Sequence, residues 1–336
     1  MGQGDVNNAK GKGMVVERQR VWPVILIAVL ITVISLTFVF GKDVFYAWKG
    51  AHIQEKLASM YSASAEEQPG VGVAEATPEP LVIHEDFLEL YEQNPHLIGW
   101  LRAAENVNYP IVQSDNEFYL DHDFYGEHDI NGTIFVNSAN ILNPRDQILL
   151  IHGHNMRSGA MLSDLDYFRD EAYVGEHPLI MFRTIYDPEE VFYVPVAAFD
   201  ASVDPYEEGY YDITRLRFEY DILANETQVT AAPVSETQSS DSVAQTEDGQ
   251  PLVEKDRSTE LELYIEEIRG MSYWDSPVEA DSTDQYIALV TCSYQHNDGR
   301  MVLLCRQLRE NETPEEMEAL FVQTFAQQIP EADEGV

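Results

Sequence analysis

A mostly β fold, a barrel or sandwich of largely antiparallel strands, is what this chain predicts. Short apolar runs bounded by turn residues recur at close spacing from residue 81 onward. The hydrophobic share, 44% of 336 residues, is enough to bury a real core and too high for wholesale disorder. Formal charge adds an exclusion. With 59 acidic and 20 basic side chains, a net charge of −39, the chain lacks the basic stripe that phosphate contacts need, so no nucleic-acid partner is expected. Two cysteines rule out a disulfide framework or a Cys-rich zinc module.

The elements follow in order. Residues 1–20 read as a cytoplasmic tail, in which Lys10, Lys12, Arg18 and Arg20 outnumber Asp5 and Glu17. Residues 21–40, VWPVILIAVLITVISLTFVF, carry no charge and, at ~1.5 Å per residue, match a bilayer core of roughly 30 Å. Gly41-Lys42-Asp43 follows directly with no small-residue cleavage site, which favours a retained transmembrane helix over a removed signal. The expectation is a single-pass cell-membrane protein with the bulk of the chain outside the cell. Residues 41–80 read as a stalk, because SASAEEQPGVGVAEATPEP has no sustained period.

A folded domain is expected over 81–328. In HEDFLELYEQNPHLIGWL, the apolar residues Phe87, Leu88, Tyr91, Leu97, Trp100 and Leu101 sit where short amphipathic helices would bury them. The strand candidates are NYPIVQ, GTIFVN, DQILLIHGH, PLIMFRTIY, EEVFYVPVAAF, DQYIALVTC and GRMVLLCRQL. Residues 222–257 are mostly Ser, Thr, Gln, Glu and Ala. They lack the apolar density to offset ordering entropy, so a disordered acidic insertion is expected there. Thr259 and Glu262 suggest a capping box, followed by Leu261, Tyr264, Ile265 and Ile268 at helical spacing and Gly270 as the stop. A last helix is signalled by Thr313, Pro314 and Glu316, with Met317, Leu320, Phe321 and Phe325 on its apolar face. Residues 329–336 read as a tail.

The chemistry-bearing residues sit at strand ends. Cys292 closes YIALVTC beside the polar loop SYQHNDG, a position that suits a nucleophile as well as a small buried side chain. Cys305 lies inside the next run and reads as core, although an extracytoplasmic setting also invites a Cys292–Cys305 disulfide. A thiol nucleophile needs a proton-transfer partner and a group to hold the developing oxyanion. His152 and His154 close a strong apolar strand, and H-x-H also suits zinc, but no third ligand completes a zinc spacing. Arg300 begins the strand after the Cys292 loop, so a strand–loop–strand turn returns it toward the cysteine.

Several ordered segments together resemble class B sortases. Ala288-Leu289-Val290-Thr291-Cys292, followed by Arg300, resembles the T-L-x-T-C…R signature of sortases. Ile151-His152-Gly153-His154-Asn155-Met156 and SGAMLSDLDYF are similar to the Y-G-H-N-M…G-x-M-F-x-x-L…Y/F pattern of class B. Upstream, NPHLIGWL, NYPIVQSDNEFYL and NGTIFVN match further class B segments in the same order. The chain departs from the pattern at Ala288, at Asn137 where Asp is common, at His152 on the family's Tyr position, and in the long insertion.

The resemblance implies a sortase-like closed barrel of about eight strands, with N-terminal helices, a helix before the Cys strand and a C-terminal helix. It implies Cys292 as nucleophile, His154 as general acid/base and Arg300 as the oxyanion-holding or substrate-orienting group, with Thr291, Asn155 and Ser293 touching substrate. No cofactor or metal is implied. The partners would be a surface-protein precursor bearing a C-terminal sorting motif and an amine acceptor, from a cell-wall precursor or, in a pilin polymerase, a pilin lysine. A membrane-tethered interaction module without catalysis is the alternative of a different class.

Overall fold

The computed structural model describes residues 13–65, 82–217, 257–296 and 298–326. The chain divides into two compact units, Met1–Gly50 and Ala51–Val336. The first holds most of helix α1 (Gly13–Ala65), whose described side chains at Ile25, Leu26, Ile27, Val29, Leu30, Ile31 and Val33 are exposed. Among the described residues, no helix is long and apolar enough to cross a membrane. The expected single-pass span at 21–40 is corrected accordingly, and with it the cell-membrane placement and the cytoplasmic N-terminus. The stalk expected from residue 41 is also helical as far as Ala65. Residues 66–80, most of the insertion at 222–257 and the tail at 329–336 lie outside the described residues.

The second unit is built on eight strands: β1 (Leu97–Ala103), β2 (Val107–Val112), β3 (Phe135–Val136), β4 (Ile148–His152), β5 (Ile180–Thr184), β6 (Phe192–Ser202), β7 (Tyr286–Ser293) and β8 (Gly299–Gln307). They close into a barrel in the order β1-β2-β3-β4-β7-β8-β6-β5, with β5 pairing back onto β1. Closure removes the unpaired sheet edges that an open sheet would present. The barrel is mixed, because β2 pairs with β3 in parallel and β4 with β7 in parallel. The other pairings are antiparallel, so the largely antiparallel expectation holds with these two exceptions. The second of them sets the histidine strand beside the cysteine strand.

Continuous burial along β4, β7 and β8 explains why their sequences are unbroken apolar runs. Pro195 stands inside β6, and the β6–β8 register shifts between Pro195 and Ala197, where a missing N–H is tolerated. One expectation fails at the start of the domain. Helix α2 (Glu85–Gln93) forms and buries Phe87 and Leu90, but Leu97–Ala103 is strand β1, with residues Leu97–Leu101 all buried. Pro95 separates the two, and paired neighbours on both sides bury Trp100 and Leu101 better than one helix face would. Leu88, on the far face of α2, is exposed.

Three helices pack outside the barrel. Helix α3 (Glu171–Glu176) starts at Asp170, whose side chain accepts from Ala172 N. Helix α4 (Arg257–Met271) begins two residues before the anticipated cap and buries Leu261, Tyr264, Ile265 and Ile268, with Gly270 inside its last turn. Helix α5 (Pro314–Ala326) carries a reciprocal capping box: Glu316 N donates to Thr313 Oγ1 and Thr313 N to Glu316 Oε2, both at 3.3 Å. Its Met317, Phe321 and Phe325 are buried. A second apolar cluster joins the C-terminal part of α1 to the barrel unit through Leu57 and Tyr61, where Tyr61 stacks on Trp100 at 4.6 Å between ring centroids.

Candidate active site

The parallel pair β4–β7 and the antiparallel pair β7–β8 end on the same side and bring three side chains into one cleft. Cys292 and Arg300 are direct cross-strand partners in the β7–β8 register, so they project from the same face. The β4–β7 register ends at His152↔Val290, which places His154 and Cys292 each two residues beyond the last pair. A cleft of about 230 Å³ is lined by His154, Cys292 and Arg300, together with Thr291, His152, Asn137, Leu120 and Ile213. Two glycines shape this end. A Cβ on Gly153 would meet Leu162 Cγ at 2.8 Å, and one on Gly299 would meet the Ser293 carbonyl oxygen at 2.7 Å.

His154 has a defined tautomer. Its Nε2 lies 2.7 Å from the Leu120 carbonyl oxygen. A carbonyl only accepts, so Nε2 carries a proton and Nδ1 is left to face the thiol. The hydrogen bond shared with Cys292 raises the His154 pKa; burial opposes this, and the Leu120 carbonyl adds to the rise. The protonated ring alone can donate from both nitrogens at once, to Leu120 and to a thiolate, which is the physical content of that shift.

Cys292 moves the opposite way. The hydrogen bond with His154 lowers the thiol pKa most; burial opposes it, and the positive charge of Arg300 lowers it further, against a small opposing effect of Asp298. A half-buried thiol beside a histidine and a guanidinium is the setting in which thiolates form and react. The Arg300 guanidinium donates to the Gly299 carbonyl at 2.9 Å and to the Asp298 carbonyl at 3.3 Å. Among the described residues it forms no ion pair, so its charge is not spent on a carboxylate.

The other expected residues divide. Thr291 lines the cleft, and its hydroxyl is buried with no hydrogen-bond partner among the described residues. Asn155 and Ser293 do not line it. The Asn155 amide donates to the Cys292 carbonyl at 3.0 Å and to Asp166 Oδ2 at 2.7 Å, and Ser293 Oγ accepts from Arg169 at 3.2 Å. His152 contacts the Asn137 amide at 3.3 Å, Nε2 to Nδ2, and packs its ring against Phe135. Both thiols are free. Cys305 pairs with Ile287, five positions from Cys292 along β7 or about 17 Å, so the alternative of a Cys292–Cys305 disulfide is sterically excluded and Cys305 is core. Among the described residues, no group of three or more His, Cys, Asp or Glu is placed to hold a metal ion.

Leu120, Asp166, Arg169 and Asp200 escape the sequence reading. Leu120 acts through its backbone carbonyl, which no side-chain pattern reports. The other three are ordinary charged residues whose meeting depends on the barrel closing.

No family model matches the chain. A curated relative, sortase B of Listeria monocytogenes, is 26% identical over 225 residues, covering 66% of this chain and 73% of the relative. A solved Bacillus anthracis protein described as similar to sortase B has the same fold, with a TM-score of 0.55 at 20% identity, covering 79% of this chain and 98% of that one. A Staphylococcus aureus sortase B–substrate complex gives a TM-score of 0.54 at 17% identity, over 80% and 99% of the two chains. Taken together, the closed barrel and the similarity to the Listeria protein support a class B sortase, a cysteine transpeptidase at the level of the family.

Proposed function

We propose that the chain cleaves a C-terminal sorting motif of a surface-protein precursor and transfers the acyl group to an amine of a cell-wall precursor. The observation that carries this reading is the meeting of Cys292, His154 and Arg300 in a single cleft, with the thiol pKa lowered and the imidazole pKa raised by their own contact.

In this reading the Cys292 thiolate attacks the carbonyl carbon of the scissile peptide bond. Negative charge gathers on the carbonyl oxygen, and Arg300, unpaired with any carboxylate among the described residues, offsets it. The carbon–nitrogen bond then breaks, and His154 gives its proton to the leaving amine. What remains is a thioester on Cys292 and a neutral imidazole. An incoming amine attacks the thioester, loses a proton to His154, and expels the thiolate, which restores the starting state and leaves a new amide. The buried, unpartnered hydroxyl of Thr291 would bond the substrate backbone from the cleft floor.

Incubating the protein with a library of sorting-motif peptides, with and without an oligoglycine or diamino acid acceptor, tests the reading. A peptide-sized thioester on Cys292 by mass spectrometry, discharged to an acceptor adduct, is the expected result. No adduct and no turnover with any peptide would leave a non-catalytic module on this fold. Discharge only by a pilin-derived lysine peptide would assign the acceptor to pilin polymerisation instead.

A further inference from the structure

The ladder between β4 and β7 stops one rung short of the chemistry. Its last backbone bond runs from Gly153 N to the Val290 carbonyl at 3.1 Å. In a parallel pair the next rung would join Asn155 N to the Cys292 carbonyl, two residues further on each strand. The chain turns away after Gly153, and the Asn155 side-chain amide reaches the same acceptor, donating to the Cys292 carbonyl at 3.0 Å. His154 therefore sits between a backbone rung and a side-chain rung, both anchored on the cysteine strand.

The amide is itself held. Its second N–H donates to Asp166 Oδ2 at 2.7 Å, and Asp166 Oδ1 accepts from Arg169 Nη1 at 2.8 Å. Arg169 then grips the Asp200 carboxylate with two prongs, Nε at 2.6 Å and Nη2 at 2.8 Å, and Nη2 also reaches Ser293 Oγ at 3.2 Å. Tyr273 OH donates to Asp200 Oδ2 at 2.5 Å. Burial favours a neutral Asp200, but Arg169, Ser293 and Tyr273 outweigh it and keep the carboxyl low, so the guanidinium stays paired. Asp200 lies on β6, Arg169 and Asp166 on the turn of 3₁₀ helix Ser163–Arg169, and Ser293 beside the nucleophile on β7. One polar chain thus ties both residues at the end of the cysteine strand to the segment that follows the histidine.

We propose that Asn155, backed by Asp166, Arg169 and Asp200, is a positioning group that sets the distance between the Cys292 thiol and the His154 ring, and that it takes no part in binding substrate. The inference rests on Cys292 and His154 being the reacting pair. Asn155 is neutral, so it passes geometry and not charge to the nucleophile's carbonyl. The groups that supply charge near the thiol are His154, Arg300 and Asp298, and Asn155 touches none of their charged atoms.

The test uses the full chain with Asn155→Ala and, as a second variant that keeps the side-chain size, Asp166→Asn. The first readout needs no substrate: the pH dependence of Cys292 alkylation by iodoacetamide, followed by mass spectrometry. Asn155→Ala should move the midpoint up by about one unit toward a free thiol, because the His154 contact is loosened. The second readout is peptide turnover. Loss of alignment on the ångström scale should lower kcat by ~10–100-fold for Asn155→Ala and ~3–10-fold for Asp166→Asn, with KM within about 2-fold of the parent. A raised KM with unchanged kcat and an unmoved alkylation midpoint would make Asn155 a substrate contact and overturn the proposal. Full activity in either folded variant would overturn it too. A parent protein that turns over no peptide would refute the proposed function, while the alkylation midpoints would still decide the positioning role.

Discussion

The strands β7 and β8 carry a cysteine and an arginine at each end, and the two ends behave as opposites. At the open end, Cys292 is half-buried beside His154, and its thiol pKa falls. Cys305 is wholly buried in the hydrophobic core, and burial drives its thiol pKa well up. The arginines divide in the same way. Arg300 leans on backbone carbonyls at the cleft, whereas Arg306 is buried and forks onto Glu312 with two bonds of 2.6 Å. In the proposed mechanism the same two residue types serve chemistry at one end and architecture at the other, because only one end has a histidine partner and an open cleft.

The sharpest way to break this comparison is to remove each sulfur in turn. Cys292→Ala should abolish peptide turnover, by ~10³-fold or more, with no loss of fold. Cys305→Ala should leave turnover unchanged and cost about 1 kcal/mol of stability from the small cavity, read by denaturant unfolding. Swapping the arginines extends the contrast. Arg300→Ala should lower kcat by ~10²–10³-fold with an unchanged melting temperature, since its charge is held for a transition-state oxygen. Arg306→Ala strands the partly buried Glu312 carboxylate and should cost about 3–5 kcal/mol, with activity per folded molecule preserved. An Arg306 variant with a normal melting point and poor turnover would erase the distinction.

The pH dependence sharpens it next. Thiolate formation rises through a Cys292 pKa below the ordinary thiol value, and proton donation fails above a His154 pKa higher than an ordinary histidine's. The rate should be bell-shaped, with both limbs belonging to the coupled pair. His154→Ala should raise the Cys292 alkylation midpoint and leave Cys305 unreactive until the protein unfolds. The folding linkage has two signs. The raised His154 contributes stability fully present below about 6.5, its unfolded value, and lost as pH rises through the folded value. The lowered Cys292 contributes stability present above its unfolded value and lost as pH falls through the folded one.

How much of this was legible in the sequence follows the same division. The strand runs, α4, α5 and the Thr313–Glu316 box are visible because apolar period and capping chemistry are local. So are Cys292, Arg300 and the pair His152 and His154, which sit where apolar runs give way to turns, although the choice between the two histidines came from the resemblance. Strand β1 was misread because Leu97, Trp100 and Leu101 fit a helix face as well as a strand buried on both sides, and burial on both sides is a tertiary fact. The parallel β4–β7 contact, the Leu120 carbonyl under His154 and the Asp166–Arg169–Asp200 chain depend on which strands become neighbours. No window of sequence carries that. The Asn155 amide and the Ser293 hydroxyl, expected at the substrate, bond groups of the scaffold that only the closed barrel brings near.

The smallest expected effect probes the architectural end alone. Glu312→Gln keeps an acceptor oxygen for Arg306 and removes the negative charge, so it should cost less than deleting the arginine, about 1–2 kcal/mol at neutral pH. Its distinctive mark is in acid. Burial favours the neutral Glu312 carboxyl, but the bonds from Arg306 and from Arg309 N outweigh it and hold the pKa low. A depressed carboxyl contributes stability that is complete above its unfolded value, about 4.3, and is lost as pH falls through the folded value. Unfolding curves of parent and variant should therefore converge as pH drops below about 4, while their alkylation midpoints for Cys292 stay superimposed. If Glu312→Gln moved that midpoint, the two ends of the β7–β8 pair would be coupled through the strands. Their opposite characters would then be one property of the ladder and not two local environments.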